Sequence, residues 1–193
     1  MPDYTFQWGE VWIVGNGPSA SRLLPAIPNG ASVLAINDAV FRIRHEEKSD
    51  WYMDRAVHRN IALFSLDRYW VKRNREFLTS FHGEKHIALP PLYRTECVDV
   101  AGVHYYGWSH AESLSDNPDV IATGQNSGYG AIGLCYLQGT KVIHLIGYDM
   151  DTEYMRTYWA PFFRHALPQL ARKGIQVWNH NSSSYIDAFP FVH

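Results

Sequence analysis

The chain has 193 residues, about one domain's worth at roughly 100–200 residues per domain. With 46% hydrophobic, 15% aromatic and 19% charged residues, it cannot be a disordered or solvating chain. Its 17 Lys and Arg against 19 Asp and Glu leave a formal charge of −2, so no global positive field draws it to nucleic acid or an anionic membrane.

In chain order, residues 10–15 (Glu-Val-Trp-Ile-Val-Gly) read as a short strand that ends in the turn Asn16-Gly17-Pro18-Ser19, and residues 19–26 follow as a short helix. Residues 32–37, 51–54 and 85–89 are three further strands. The stretch 93–126 is rich in Gly, His, Tyr, Asp and Ser and is expected to be a long irregular insertion, the kind of loop that is usually functional. Residues 128–138 predict a small-residue apolar helix opening at Asn126-Ser127-Gly128. Residues 140–147 then form a continuous apolar strand of the type buried on both faces of a parallel sheet. Helical spacing runs over 160–173, with Gly174 at the position of a left-handed cap, and 175–178 is a last strand. Strands alternating with helices imply an α/β fold, a Rossmann-like three-layer sandwich with a mostly parallel central sheet, in a single domain over 1–193.

No apolar run is long enough to span a bilayer, and the N-terminus lacks a basic region followed by an apolar one, so a cytoplasmic chain is expected. Cys97 and Cys135 include no C-x-x-C pair and read as two reduced thiols, neither a disulfide framework nor a thiolate zinc site.

The candidate site residues gather at predicted strand ends. Gly15, Asn16, Gly17 and Ser19 follow the first strand and precede a helix, where backbone N–H groups of a doubly wound fold face an anion. The loop is neither the dinucleotide fingerprint, because position 20 is Ala, nor a Walker A loop. Asn37 and Asp38 end the second strand and Asp54 the third, although Asn and Asp also serve simply as helix caps. Asn126, Ser127 and Gly128 place hydroxyl and amide groups at the positive end of a helix. Gly147-Tyr148-Asp149-Met150-Asp151 closes the most hydrophobic strand. Its Asp-x-Asp spacing is one way to hold a divalent metal, but no metal site is assigned from it. His165 and His180 are downstream imidazoles able to act as a general base. The Arg68, Lys72, Arg73 and Arg75 group reads as a solvated helix face.

Val11-Trp-Ile-Val-Gly-Asn-Gly-Pro-Ser19, then Asn37, then Asn126-Ser127-Gly128, then Ile143-His-Leu-Ile-Gly-Tyr-Asp149 together resemble the family-42 bacterial sialyltransferases and their relatives. Those relatives are the motility-associated glycosyltransferases and the MptE-like proteins, which include a 6-hydroxymethylpterin diphosphokinase. Short relatives of this kind occur in phage genomes. The resemblance runs from residue 10 to about residue 184. It implies that Gly15, Asn16, Gly17, Asn37, Asp54, Ser127 and Gly128 bind the nucleotide. Position 54 is Asp where those enzymes carry Asn, which sets a negative charge near an anionic donor. Those enzymes also insert a long lid after the strand ending near Asp149, whereas here only residues 151–158 intervene. Tyr154 and Tyr158 then stand where lid tyrosines touch the phosphate, and the family's histidine base has no clear counterpart.

The function expected from this reading is a nucleotide-dependent transferase, a glycosyltransferase using a CMP-sugar-like donor with no further cofactor. Tyr154 or Tyr158 would steady the leaving phosphate, and His180 or Asp149 would activate an acceptor that the sequence does not name. Two alternatives stay open. One is an ATP- and Mg²⁺-dependent diphosphokinase using Asp54, Asp149 and Asp151, and the other is a non-catalytic nucleotide-binding module. A homo-oligomer is compatible with each.

Overall fold

The computed structural model describes residues 6–47, 60–96 and 100–192. The described residues build one sheet of eight strands: β1 (Glu10–Val14), β2 (Ser32–Ile36), β3 (Asn60–Ser65), β4 (Lys85–Ala88), β5 (Val103–Ser109), β6 (Val120–Ala122), β7 (Val142–Ile146) and β8 (Gln176–Asn179). Their spatial order is β6-β5-β4-β3-β2-β1-β7-β8, and every neighbouring pair is parallel. The fold is the α/β Rossmann-like sandwich that the alternation predicts.

Side chains alternate between two faces along each strand, so each central strand feeds two cores. Val11 and Ile13 of β1 join Leu34, Ile36, Phe64 and Leu145 in a core with helix α5 (Ser127–Leu137) and the final helix α6 (Leu167–Arg172). Trp12 and Val14 join Val33, Ala35, Leu63 and Ile146 in the opposite core. That second core is covered by α1 (Ala20–Leu23), α2 (Ala39–Glu47), α3 (Arg68–Arg73) and α4 (Arg75–Ser80). Because both faces are covered, the central strands are continuous apolar runs rather than alternating ones. Helix α5 is buried from Tyr129 through Tyr136, as a helix apolar on all sides must be. Within it burial pushes the Cys135 thiol up to about 12, which leaves an inert thiol; Cys97 lies outside the described residues.

Several expectations are corrected. The third strand of the sheet is Asn60–Ser65, paired between β2 and β4, and residues 51–54, Asp54 among them, lie outside the described residues. The stretch 93–126 is no insertion, because it supplies β5 and β6 in register with the sheet. These two strands are hard to see because β5 is half-exposed, with polar and small residues at His104, Gly107 and Ser109, and β6 is three residues long. The helical stretch 160–173 is split into a 3₁₀ segment, Ala160–Ala166, and α6, with Pro161 and Pro168 in their first turns. A proline there lacks the N–H that would continue the preceding helix. Pro25 divides the helix expected over 19–26 in the same way. Gly174 does cap α6, at φ 65°, with Ile175 N–H donating back to the Leu170 carbonyl at 2.9 Å. No helix among the described residues is long and apolar enough to cross a membrane.

Candidate functional site

Strands β2 to β6 step outward on one side of β1, whereas β7 and β8 lie on the other. The loops leaving β1 and β7 therefore diverge, and this reversal is where open α/β sheets bind ligands. A cleft of about 550 Å³ sits there. Its lining comes from residues 15–18 after β1, Asn37 after β2, Leu66 and Asp67 after β3, and Trp108 of β5. Thr123 and residues 125–128 lead into α5, and residues 147–151 follow β7, with Met155 and Trp159 beyond.

The glycines of the first loop serve a close approach of two backbones. Gly15 N–H donates to the Ile146 carbonyl at 2.8 Å and Gly17 N–H to the Gly147 carbonyl at 2.9 Å. A Cβ on Gly17 would lie 1.9 Å from Asp149 Oδ2 and 2.5 Å from the Gly147 oxygen, and Gly147 itself has φ 72°. Asp149 completes the junction. Its Oδ1 accepts from Asn181 Nδ2 at 2.9 Å and from Ser19 N–H at 3.2 Å, and its Oδ2 accepts from Ser19 Oγ at 2.8 Å. Two expectations are corrected by this geometry. The N–H groups of Gly15 and Gly17 are taken by carbonyls of β7 and the residue after it, and that of Ser19 by the chain's own Asp149 carboxylate, rather than facing a ligand anion, and the carboxylate of Asp149 is occupied as a brace rather than poised as a base. Arg42 adds to the brace, its Nη1 donating to the Gly17 carbonyl at 3.2 Å.

The opening of α5 remains available to an anion. Asn126 is the cap, accepting Tyr129 N–H at 2.7 Å while its own Nδ2 donates to the Gly124 carbonyl at 3.0 Å. Ser127 and Gly128 are the first two helical residues, so their N–H groups have no acceptor within the helix. Both line the cleft. Asn37 Nδ2 reaches Ser127 Oγ at 3.4 Å. Tyr148, almost fully buried, donates its hydroxyl to the Gly128 carbonyl at 3.1 Å, and its ring would collide with any side chain placed at Gly128. Burial holds that phenol well above its usual range, so Tyr148 is a neutral strut between β7 and α5.

Backbone strain converges on the same place. Among the described residues three that are not glycine have left-handed φ, Asn37 (50°), Gln125 (60°) and Met150 (54°), and all three line the cleft. Such conformations persist where the surroundings over-determine them, and they cluster at functional sites. A π-helical turn, Met155–Trp159, forms the next wall; such turns also recur at functional sites. Asn37 Oδ1 and Trp159 Nε1 are buried and have no hydrogen-bond partner among the described residues.

That turn divides its aromatics. Met155 and Trp159 line the cleft, while Tyr154 and Tyr158 stand 55% and 60% exposed outside it, which corrects their expected place against a phosphate. His180 is corrected as well. Its Nε2 meets His144 Nδ1 at 2.9 Å, its ring tilts over Trp12 at 4.7 Å, and His144 Nε2 meets Glu10 Oε1 at 3.0 Å. Trp12 belongs to the core on the opposite side of β1 from α5, so His180 extends a packed ladder and does not line the cleft. Burial lowers both imidazole pKa values. The Glu10 contact opposes that at His144, and the neighbouring His144 adds to it at His180. His165 lies elsewhere, 3.8 Å from Glu112. Asp38 accepts from Trp70 Nε1 at 2.6 Å and Asp67 caps α3, which leaves Asp151 as a cleft-lining carboxylate with no partner among the described residues.

Of the sequence-derived candidates, the cleft gathers Gly15, Asn16, Gly17, Asn37, Asn126, Ser127, Gly128, Gly147 and Asp149. Ser19 stands behind it, holding Asp149. Residues that the sequence reading missed are Asp67, Trp108, Met155 and the brace residue Asn181. Asp67 and Trp108 were hidden with β3 and β5, and nothing local marks Asn181 as the partner of Asp149. Among the described residues no three His, Cys, Asp or Glu side chains gather in a way that would hold a metal ion. Both oxygens of Asp149 accept hydrogen bonds from Ser19 and Asn181, and Asp54, the third carboxylate of the expected magnesium set, lies outside the described residues. No family model, curated protein or solved structure matches this chain.

Proposed function

We propose that the cleft binds a nucleotide-activated sugar and that the chain is a glycosyltransferase. The observation that carries this reading is the convergence of the three left-handed residues, the π-turn and the opening of α5 on one cleft at the strand reversal. The donor phosphate sits at the Ser127 and Gly128 N–H groups, where the helix dipole favours negative charge. The Asn37 amide and the flat faces of Trp108 and Trp159 suit a base or a sugar ring. In the transfer step an acceptor hydroxyl oxygen bonds to the anomeric carbon of the donor. The bond from that carbon to the phosphate oxygen breaks, its electron pair stays on the phosphate, and the hydroxyl proton passes to Asp151. The helix-end donors stabilise the charge that grows on the leaving phosphate.

Thermal unfolding with CMP, UDP and their sugar conjugates, without metal, tests the reading. Ligand at about a hundred times its Kd adds about 2.7 kcal/mol, a rise of roughly 5–10 °C for a chain of this size. Asn37→Gly and Trp159→Ala should reduce the rise, and free nucleotide should appear from the conjugate on incubation. Stabilisation by ATP only with Mg²⁺ would favour the diphosphokinase instead. No stabilisation by any of these ligands would remove the assignment.

A further inference from the structure

The π-turn that walls the cleft carries a second surface on its outer side. Tyr154 and Tyr158 are exposed, with ring centroids 4.9 Å apart and planes tilted by 41°. Tyr154 also meets Trp159 edge-on at 5.6 Å, and Trp159 lines the cleft. An unbroken aromatic path therefore runs from the cleft wall to solvent. Beside it, Arg156 stacks at 4.5 Å on Tyr185, itself 49% exposed, and the Tyr185 N–H donates to the Asp149 carbonyl at 3.1 Å. The second ring group is thus tied to the junction that shapes the cleft.

Large rings left in water next to a binding cleft mark a contact surface. The chemistry between the rings indicates its occupant. Asp151, Thr152, Glu153, Arg156 and Thr157 interleave with the aromatics and alternate hydrogen-bonding groups with flat apolar faces. A sugar ring has the matching pattern, with C–H groups on one face and hydroxyls around its rim. The two carboxylates against one arginine make the surface acidic, which opposes a polyanion such as nucleic acid. Apolar side chains that would seat a peptide anchor are absent from 151–158 apart from Met155, which belongs to the cleft wall.

We propose that Tyr154 and Tyr158 form the seat of a neutral saccharide acceptor at the outer lip of the cleft, an inference that rests on the glycosyl-transfer reading. The acceptor stacks on these rings and extends its reactive hydroxyl past Asp151 toward the donor.

Saturation-transfer NMR on the full chain tests this with maltose, cellobiose, lactose and N-acetyllactosamine as probes, each with and without CMP or UDP. At least one probe should receive magnetisation, strongest at the C–H protons of one ring face. Tyr154→Ala combined with Tyr158→Ala should weaken its binding roughly tenfold, the worth of two stacked rings, whereas the corresponding Phe pair should retain it. Circular dichroism and the thermal midpoint report whether the double variant folds; if it does not, Tyr158→Ala alone should give a loss of roughly threefold. The proposal is overturned if no probe receives transfer, if folded alanine variants bind as well as the parent, or if an oligothymidylate binds through these tyrosines and the sugars do not. Nucleotide binding is read separately by thermal shift. Sugar contact without nucleotide stabilisation removes the transferase reading and leaves the saccharide seat, and nucleotide stabilisation without sugar contact removes the seat alone.

Discussion

Asp149 and Ser19 are joined twice across 130 positions of chain: the Ser19 hydroxyl donates to Oδ2 at 2.8 Å and the Ser19 N–H to Oδ1 at 3.2 Å. With Asn181 on the same carboxylate, three elements meet at one side chain, and the shape of the cleft depends on it. Asp149→Ala leaves three donors without their acceptor, and an unsatisfied buried donor costs about 1–3 kcal/mol. The expected loss is about 2–4 kcal/mol in urea unfolding, against about 1 kcal/mol for Ser19→Ala. An Asp149→Ala protein with an unchanged urea midpoint but no turnover would show that the carboxylate acts in the chemistry and not as a brace.

The left-handed residues predict an exchange of stability against binding. An L-residue in this conformation costs about 1–2 kcal/mol, part of which glycine gives back through its greater freedom in the unfolded chain. Gln125→Gly, at an exposed position, should therefore leave stability level or raise it by up to about 1 kcal/mol, whereas Met150→Gly should lower it, because the Met150 side chain packs against the core and its loss outweighs the relief. Asn37→Gly should gain less, since Asn tolerates this region, yet it should lose nucleotide affinity because the amide is gone. Equal affinity in Asn37→Gly and the parent, by titration calorimetry, would show that Asn37 is only a turn residue.

Asp151 and His180 separate by function. Asp151→Asn should lower kcat by about 10²–10⁴, the usual worth of a general base, with little change in nucleotide affinity. His180→Ala should leave turnover close to the parent and instead lower the melting point, because His144 loses its partner and Trp12 loses a packed ring. The opposite result in steady-state kinetics would place His180 in the reaction.

His86 sets a pH window for stability. It is buried between β3 and β5, bonded to Tyr106 and Glu84 at 3.1 Å each and stacked on His104, with Trp8 at its edge. Burial first, and then the neighbouring His104 charge, take its pKa from 6.5 to about 3. Between those values the unfolded chain holds the extra proton, so stability rises with pH. The His86 contribution is complete above about 6.5 and is lost as pH falls toward 3, on the order of 4–5 kcal/mol in all. Glu84 acts in the opposite sense, because burial raises its pKa in the folded chain and so favours that state as the carboxyl takes up a proton. His86→Gln should flatten the acid limb of a stability–pH curve measured by urea unfolding. Parallel curves for the parent and His86→Gln would contradict the assignment.

Local pattern alone marked out the parallel α/β sheet, since strands covered on both faces must be continuous apolar runs, and β1, β2 and β7 read as such. It also determined the glycine loop after β1 and the Asn126-Ser127-Gly128 helix opening, because turns and caps are written in neighbouring residues. What those residues do follows from contacts that folding alone creates. The partners of Asp149 come from Ser19 and Asn181, far apart in the chain. The face on which His180 falls follows from strand pairing, and the separation of Tyr154 and Tyr158 from Met155 and Trp159 follows from the π-turn. Hydrogen bonds, sheet faces and the cleft itself are relations between distant segments, and local pattern carries no information about which distant group takes a given lone pair or N–H.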